Sequence, residues 1–342
     1  MIRYNEVEAI SRMNALSRAS KPFVFFIDYD HEKIIISEQP VEDILFYDFL
    51  GHHKLSSLKS IQPDFYFDKY PISYNDYLTS FDQVKRALQR GDSYLVNLAF
   101  PTLVKTNLGL EEVFVQSEAK FKAYVPGEFV FFSPEQFVDI IEDKVYTYPM
   151  KGTIDSSLPD AEQQILNDSK EMAEHSTVVD LLRNDLSQIC AKVRVKRFRY
   201  IERVVSHNKE LLQVSSEITG RLLEPLSGHL GDILFSLLPA GSITGAPKTK
   251  TLEIINKAEI TPRGYYTGIC GYYDGKNLRS GVMIRMIQLD DNQNMYYYSG
   301  GGITVQSDPV KEYQELIDKV YVPIIRDHQN SRREDLQCSL SQ

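Results

Sequence analysis

The sequence predicts a single large α+β domain rather than two separate domains. Patterns typical of strands and of helices are mixed along the chain, with no compositional break, no Pro- or Gly-rich linker and no short tandem repeat. Hydrophobic residues make up 42% of the chain and charged residues 25%, which are ordinary proportions for a folded protein. The 342 residues are therefore enough to build one extensive core.

The amino-terminal half is predicted to form several strands and one helix. Runs of β-branched and aromatic residues, separated by turn residues, predict strands at 23–28, 33–37, 94–103, 128–133, 138–141 and 145–148. Tyr77, Phe81, Val84 and Leu88 recur at helical spacing, and Gly91 follows them. A helix is therefore expected over 73–90.

The carboxy-terminal half is predicted to alternate helices with strands. Apolar residues at helical spacing predict helices at 169–186, 228–238, 248–259 and 309–325. Asp168 is placed to cap the first of these, and Pro247 is suited to the first turn of the third. Strands are expected at 192–205, 215–223, 265–273, 281–289 and 294–304. Residues 326–342 are polar and lack periodicity, so we expect a mobile tail there.

The charge of the chain argues against a dedicated nucleic-acid binder. It carries 47 acidic and 38 basic side chains, for a formal net charge of -9, whereas nucleic-acid binders normally have a basic surface. Lys192, Arg194 and Lys196 do alternate along one predicted strand. Because the RNA-recognition signature is absent, a solvated strand face is favoured over a nucleic-acid surface.

Cysteine spacing and hydropathy predict a cytoplasmic protein without a membrane partner. Cys190, Cys270 and Cys338 lie far apart without a CxxC pair, unlike the cysteines of a disulfide scaffold or zinc site. The first residues lack the apolar centre of a signal peptide, and apolar runs such as 23–27 are too short to cross a bilayer.

Two glycine-containing segments resemble known motifs but depart from them. The loop 241–248 fails the phosphate-loop pattern, because two residues separate its second glycine from the lysine. It is either a tight turn before a helix or an anion site suited to a carboxylate. Segment 268–271 lacks the second flanking glycine of a nucleophile elbow, so a buried strand cysteine is favoured at Cys270.

Two pairs of glutamates lie at i, i+3 spacing on predicted helices. Glu171 and Glu174 form one pair, and Glu312 and Glu315 form the other, with Lys319 four residues further along the same face. Adjacent like charges destabilise a helix unless a cation offsets them. The pairs are either exposed acidic faces or, together, an all-oxygen site for Mg²⁺.

A lysine and a glutamate lie at the two open ends of a predicted hairpin. Lys151 follows strand 145–148, and Glu135 precedes strand 138–141, so pairing of these strands brings the two residues near each other. Alone, Lys151 is typical of a surface turn. Beside a carboxylic acid, it is suited to nucleophilic attack on a substrate whose poor leaving group the acid protonates.

Seven segments agree, in order and in content, with motifs of one enzyme family. They lie at 133–135, 149–153, 171–175 with 179–185, 241–248, 262–268, 300–303 and 308–319. Seven motifs in order are far more specific than any one of them. The chain therefore resembles the chorismate-utilising enzymes, which include component I of anthranilate synthase and of aminodeoxychorismate synthase, and the isochorismate and salicylate synthases.

The resemblance implies a four-layer α/β/β/α fold of class α+β, in which two orthogonally packed antiparallel sheets are flanked by helices. The site is expected between the sheets. Residues 73–325 correspond to the chorismate-binding catalytic domain, and residues 1–72 to a shortened amino-terminal segment of the same fold.

The resemblance also implies a reaction. Aminodeoxychorismate synthases carry a lysine where this chain has Lys151, whereas similar anthranilate and isochorismate enzymes carry a small residue. The Lys151 amine would attack C2 of chorismate while Glu135, as general acid, helps to expel the C4 hydroxyl and opens C4 to ammonia. The amine must be unprotonated for this step, a state that burial favours. The product would be 4-amino-4-deoxychorismate, in the folate branch, with ammonia from a separate glutaminase subunit.

The remaining site residues are assigned by the same resemblance. Glu174 and Glu315 are expected to bind Mg²⁺, with Glu171 and Glu312 supporting them. Tyr266 and Arg285 are expected to contact the carboxylates of the substrate, and Lys319 is expected to add positive charge. The residues expected to line the rest of the substrate are Ser242, Gly152, Gly300 and Gly302.

Two positions depart from the family pattern. Leu95 stands where ammonia-adding members usually carry Gln and water-adding members carry Lys, and Gln213 stands where many members carry His. A leucine cannot activate water, which counts against the isochorismate and salicylate reactions. Two alternatives stay open: component I of anthranilate synthase, which also eliminates pyruvate, and a non-catalytic chorismate-binding subunit.

Overall fold

The computed structural model describes residues 2–38, 45–55, 65–206 and 209–323. The predicted mobile tail at 326–342 lies outside these residues. Within them, none of the helices is both long enough and apolar enough to span a bilayer.

The strands and helices of the described residues have the following bounds. The strands are β1 (Arg3–Tyr4), β2 (Phe23–Ile27), β3 (Ile34–Ser37), β4 (Phe46–Phe49), β5 (His52–Lys54), β6 (Phe67–Tyr70), β7 (Leu95–Thr106), β8 (Phe121–Val125), β9 (Phe129–Ser133), β10 (Gln136–Ile141), β11 (Lys144–Thr147), β12 (Met150–Asp155), β13 (Cys190–Ser206), β14 (Lys209–Leu222), β15 (Gly245–Ala246), β16 (Ile269–Tyr273), β17 (Leu278–Val282), β18 (Met286–Leu289) and β19 (Met295–Ile303). The helices are α1 (Glu6–Arg18), α2 (Tyr74–Gln89), α3 (Leu110–Gln116), α4 (Ala161–Asn167), α5 (Ser169–Ser187), α6 (Leu230–Ser236), α7 (Gly241–Thr244), α8 (Lys248–Ala258) and α9 (Pro309–Asp318).

The strands form two antiparallel sheets. The first has the order β1-β3-β2-β16-β17-β10-β11-β14-β12, with β13 paired to β14. The second has the order β15-β7-β19-β18-β9-β8-β4-β5, with β6 paired to β7. Together with the helices, these sheets confirm the predicted α+β class and its two antiparallel sheets.

Alternate residues of β2 show how the sheets and helices are layered. Phe23, Phe25 and Ile27 pack in a core shared with α1, α5 and α6, whereas Val24 and Phe26 pack between the two sheets, because successive strand residues face opposite sides. Helices α2, α3, α8 and α9 pack on the second sheet. Helices therefore cover the outer face of each sheet, as the four-layer prediction requires.

The predicted single strand 281–289 is wrong, because the chain changes sheets within it. β17 belongs to the first sheet and β18 to the second. Between them, Met283 N–H donates to Gly268 O, and Thr267 N–H donates to Met283 O, each at 2.7 Å. Arg285 has a φ of 54°, a left-handed conformation that interrupts a strand. This crossing places Arg285 at the junction of the sheets.

The last helix starts at Pro309 as predicted but ends earlier than predicted. α9 ends at Asp318 rather than at 325, and Val320 and Val322 are buried in the core against the second sheet. Residues two apart lie on opposite sides of a helix, so a helix continued to 325 would not turn both valines toward this core. Tertiary packing here overrides the helical spacing of the sequence.

The first 72 residues supply strands to both sheets. β1, β2 and β3 lie in the first sheet, and β4, β5 and β6 lie in the second. Helix α1 was not predicted, although Ala9, Met13 and Leu16 form a buried face and Asn5 with Glu8 forms a capping box. A boundary with the catalytic domain at residue 72 stays a prediction.

The basic strand β13 is solvated, as predicted. Lys192, Arg194 and Lys196 are exposed, whereas Val193 and Val195 are partly buried against the core of the first sheet. The alternation reflects the two faces of one strand.

The cysteine prediction is confirmed for Cys270. The residue lies in β16 and is buried with a free thiol, and its Sγ lies 3.5 Å from Gly281 O. Burial raises the pKa of the thiol, so Cys270 is unsuited to act as a nucleophile.

A buried histidine connects helix α5 to the first sheet. His175 Nε2 lies 2.7 Å from Ser216 Oγ on β14, and Ser216 N–H donates to Pro149 O, just before β12. Burial, with smaller effects from Arg199 and Lys151, lowers the pKa of His175 from 6.5 to about 4. The ring is therefore neutral in the folded protein at neutral pH.

This neutral histidine predicts a specific pH dependence of stability. Between about pH 6.5 and about pH 4 the unfolded chain binds a proton that the folded chain does not, so the free energy of unfolding should fall by about 3 kcal/mol as pH decreases. His175→Gln, whose amide can keep the bond to Ser216, should remove this loss, whereas His229→Gln at an exposed histidine should not. Urea unfolding in magnesium-free buffer measures both, and equal pH dependence in wild type and His175→Gln would contradict the prediction.

Candidate active site

A cavity of about 170 Å³ opens where the two sheets meet. The first sheet contributes residues of β10, β11 and β12 to its wall, and the second contributes β7 and β19. The predicted site residues that line it are Glu135, Lys151, Ser242, Tyr266, Arg285, Gly300, Gly302, Glu315 and Lys319. Segments far apart in sequence therefore meet at one place, between the sheets as predicted.

Glu135 is brought to the cavity by the hairpin of β10 and β11. Its Oε1 accepts a hydrogen bond from Ser242 Oγ at 2.9 Å. Burial raises the pKa of Glu135, and the Ser242 hydrogen bond and the charges of Lys151, Lys319 and Arg285 oppose that rise only in part. A carboxyl group that retains its proton more readily than usual is suited to act as a general acid.

Lys151 lies within β12 rather than in a surface turn. Its Nζ is 3.6 Å from Glu174 Oε2, and about a quarter of its side chain is exposed. A methyl group placed at Gly302 would lie 3.6 Å from Lys151 Nζ and 3.0 Å from Leu95 Cδ1. The absence of a side chain at Gly302 therefore leaves room at the lysine amine, and Leu95 forms an apolar wall beside it.

The four candidate metal ligands form two pairs, and of the four only Glu315 is among the residues that line the cavity. Glu174 is next to Lys151, and a methyl group at Gly152 would lie 3.1 Å from Glu171 Oε2. A methyl group at Gly301 would lie 3.5 Å from Glu312 Oε2 and 3.7 Å from Glu315 Oε1. Each pair of glutamates thus borders one of the glycine segments.

The chemistry of these glutamates fits a hard cation. Carboxylate oxygens are the donors that Mg²⁺ prefers, and lysine ammonium groups already lie beside two of them: Lys151 near Glu174, and Lys319 Nζ 2.6 Å from Glu315 Oε1. In the part of the chain that the structure describes, no three metal-binding side chains are gathered as a ready site. Mg²⁺ stays a prediction.

Two cationic side chains, Arg285 and Lys319, line the cavity together with Glu135. Lys319 Nζ donates to Gly300 O at 2.7 Å, and Arg285 Nη1 donates to Lys319 O at 3.3 Å. The Arg285 guanidinium lies 4.8 Å from the centre of the Tyr321 ring. Tyr266 is buried, and burial raises its pKa to about 12. The phenol therefore keeps its proton, and these groups together suit a substrate carboxylate.

The loop that contains Ser242 forms a short helix. α7 occupies residues predicted as loop, and Ser242 directs its hydroxyl at Glu135 rather than at an open anion site. Gln213, the second departure from the family pattern, lies on β14 opposite Thr153 and is not among the residues that line the cavity.

Sequence reasoning missed a buried ion pair behind the cavity. Arg263 and Glu259 have side chains only 2% and 6% exposed, with Arg263 Nη2 2.6 Å from Glu259 Oε1. Arg263 also donates to Asn97 O, Ile243 O and Thr267 Oγ1. Their i, i+4 spacing was the available signal, but such spacing is more typical of an exposed helix pair.

The chain is similar throughout most of its length to chorismate enzymes. A family model described as chorismate binding enzyme matches residues 27–324. An uncharacterized PabA-like protein of Haemophilus influenzae is 47% identical over 317 residues, covering 92% of this chain and 96% of that protein. Aminodeoxychorismate synthase component 1 of Klebsiella aerogenes is 35% identical over 268 residues, covering 73% of this chain and 57% of that protein.

A solved structure supports the same relationship. The crystal structure of anthranilate synthase component I from Streptococcus pneumoniae matches with a TM-score of 0.65 and 27% identity, covering 74% of this chain and 58% of that one. Fold and sequence therefore agree. The chain belongs to the chorismate binding enzyme family, as a chorismate-utilising enzyme of the anthranilate and aminodeoxychorismate synthase component I type.

Proposed function

We propose that the protein is component I of an aminodeoxychorismate synthase, which converts chorismate and ammonia to 4-amino-4-deoxychorismate. The observation that carries the proposal is the pairing of Lys151 with Glu135 in one cavity. An amine and a carboxyl group whose pKa is raised by burial form a nucleophile and a general acid for a poor leaving group.

In the first step the Lys151 amine forms a bond to C2 of the ring. The ring double bonds shift toward C4, the C4–O bond breaks, and the hydroxyl leaves as water with the proton that Glu135 donates. Ammonia then forms a bond to C4, the double bonds return, and the C2–N bond breaks to release Lys151. Glu135, now a carboxylate, takes up the proton that the added ammonia loses.

The charges at the cavity support a dianionic substrate. Arg285 and Lys319 line the same cavity as Glu135 and provide two cations for the carboxylates of chorismate. Bound Mg²⁺, held by Glu174 and Glu315 with Glu171 and Glu312, would neutralise the glutamates and bind the ring carboxylate. Lys151 has to leave the carboxylate of Glu174 before it can attack.

The residues around Lys151 favour amination over hydration. Leu95 lies beside Gly302 on the side of the Lys151 amine, and a leucine offers no group that could take a proton from water. Ammonia needs no such base to be nucleophilic. We infer that a glutaminase subunit supplies it, since relatives of this chain carry the designation component 1.

Product identification tests the proposal directly. Incubation of the protein with chorismate, Mg²⁺ and ammonium should give 4-amino-4-deoxychorismate, measured by liquid chromatography with mass spectrometry, and omission of ammonium should abolish it. Fluorescent anthranilate, formed without an added lyase, would instead support the anthranilate synthase alternative. Chorismate binding without turnover in excess ammonium would support a non-catalytic subunit.

A second prediction tests whether Lys151 is the nucleophile. With chorismate but no ammonium, the peptide containing Lys151 should gain the mass of one chorismate less one water. Lys151→Ala should lose this adduct and lower turnover by about 10²- to 10⁴-fold, while Mg²⁺ affinity measured by calorimetry stays nearly the same. Lys144→Ala, at an exposed lysine on the preceding strand β11, is the control. An unchanged adduct in Lys151→Ala would exclude Lys151 as the nucleophile.

A further inference from the structure

We propose that Asp185 and Lys248, which no step of the proposed reaction uses, are positioning residues that fix Ser242 against the carboxyl group of Glu135. The inference rests on the proposed function for the role of Glu135. It concerns residues that touch neither substrate nor reacting atoms and act through Ser242.

Asp185 and Lys248 form a largely buried ion pair between two helices. Asp185 lies in the last turn of α5, and Lys248 is the first residue of α8. Lys248 Nζ is 2.9 Å from Asp185 Oδ1, with side chains only 19% and 9% exposed. Lys248 also donates to Leu237 O at 2.9 Å. The pair therefore joins α5, α8 and the chain after α6.

The same carboxylate holds the start of α7. Asp185 accepts a hydrogen bond from the backbone N–H of Gly241, the residue directly before Ser242. A methyl group at Gly241 would lie 2.8 Å from Asp185 Oδ2 and 2.9 Å from Leu181 Cδ2. The glycine is thus required for this close approach of backbone to carboxylate.

A helix as short as α7 cannot hold its own position. It contains four residues, barely one turn, and a single turn is not stable by itself because nucleation is unfavourable. Its placement must come from contacts with the rest of the fold. The contact at its first residue is the carboxylate of Asp185, and the hydroxyl at its second residue is 2.9 Å from Glu135 Oε1.

Lys248 is needed because it keeps Asp185 ionised. Burial raises the pKa of Asp185, and the charge and hydrogen bond of Lys248 oppose that rise. Hydrogen bonds to an ionised acceptor are stronger than those to a neutral one. Loss of Lys248 should therefore weaken the hydrogen bond from Gly241 N–H to the Asp185 carboxylate, although Lys248 takes no part in that bond.

The consequence for Glu135 has a defined sign. The groups that act on its carboxyl are Ser242 from α7, Lys151 from β12, Tyr266, Arg285 from the sheet crossing and Lys319 after α9. The Ser242 hydroxyl donates to Glu135 and so favours the carboxylate. When Ser242 is displaced, Glu135 holds its proton to higher pH. The acid form is the active one, so the alkaline limb of kcat should move to higher pH.

The test compares matched variants on the same helices. Asp185→Asn and Lys248→Met should each lower kcat by about 10- to 100-fold with a smaller change in KM, and should move the alkaline limb of kcat upward. Asp180→Asn and Lys250→Met, at exposed charged residues of α5 and α8, should match wild type. Ser242→Ala should move the limb in the same direction.

The double variant Asp185→Asn/Ser242→Ala distinguishes positioning from a general structural effect. If Asp185 acts through Ser242, the double variant has the same alkaline limb as Ser242→Ala alone. The inference would be overturned if the alkaline limb of kcat in Asp185→Asn matched that of wild type. It would also be overturned if the double variant showed the sum of the two single-variant shifts.

Two further measurements keep the inference testable if a variant misfolds or the wild type is inactive. Gly241→Ala keeps both charges of the ion pair but places a methyl group 2.8 Å from Asp185 Oδ2. It should push α7 away from that carboxylate and reproduce the upward shift of the alkaline limb of kcat. The titration of Glu135 can also be followed by ¹³C NMR with labelled glutamate, assigned by Glu135→Gln. An inactive wild type refutes the proposed function, whereas identical Glu135 titrations in wild type, Gly241→Ala and Lys248→Met refute the positioning role.

Discussion

The buried ion pair of Arg263 and Glu259 is the interaction on which the geometry of the active site depends. Two ions taken out of water are stable only when their remaining hydrogen bonds are satisfied. Here Arg263 donates to β7, to α7 and to Thr267, Glu259 accepts from Ala99 N–H, and the guanidinium lies 4.5 Å from the Tyr29 ring. One pair thus joins Asn97, Ile243 and Thr267, three residues that line the cavity.

Local sequence signals predicted the ends of those helices that are capped or terminated by residues next to them in the chain. Asp168 caps α5 through Glu171 N–H, and α2 ends before Gly91 as expected. The break between β17 and β18 depends on hydrogen bonds to Gly268 and Thr267, distant in sequence, so no local pattern could reveal it. The candidate site residues were reached through motif order, whereas the roles of Asp185 and Arg263 needed their burial and partners, which spacing does not show.

The distribution of charge resolves the conflict between an acidic protein and an anionic substrate. The chain has a formal net charge of -9, yet its cavity gathers Lys151, Arg285 and Lys319 around Glu135. Charges act mainly over the screening length of the solvent, so the groups that line the cavity matter more to a ligand there than the sum over the surface. The negative net charge of the chain is therefore compatible with an anionic ligand bound beside these three cations.

The basic strand β13 has a consequence for the behaviour of the protein at high concentration. Among the described residues β13 pairs only with β14, and an open strand of this kind is a template for edge-to-edge aggregation. Its ladder is interrupted by repeated register shifts, and Lys192, Arg194 and Lys196 project from it into solvent. Charged side chains and bulges are the means by which native sheets block the addition of another strand. The residues that were compared with a nucleic-acid surface are therefore of the kind that opposes pairing with a further strand.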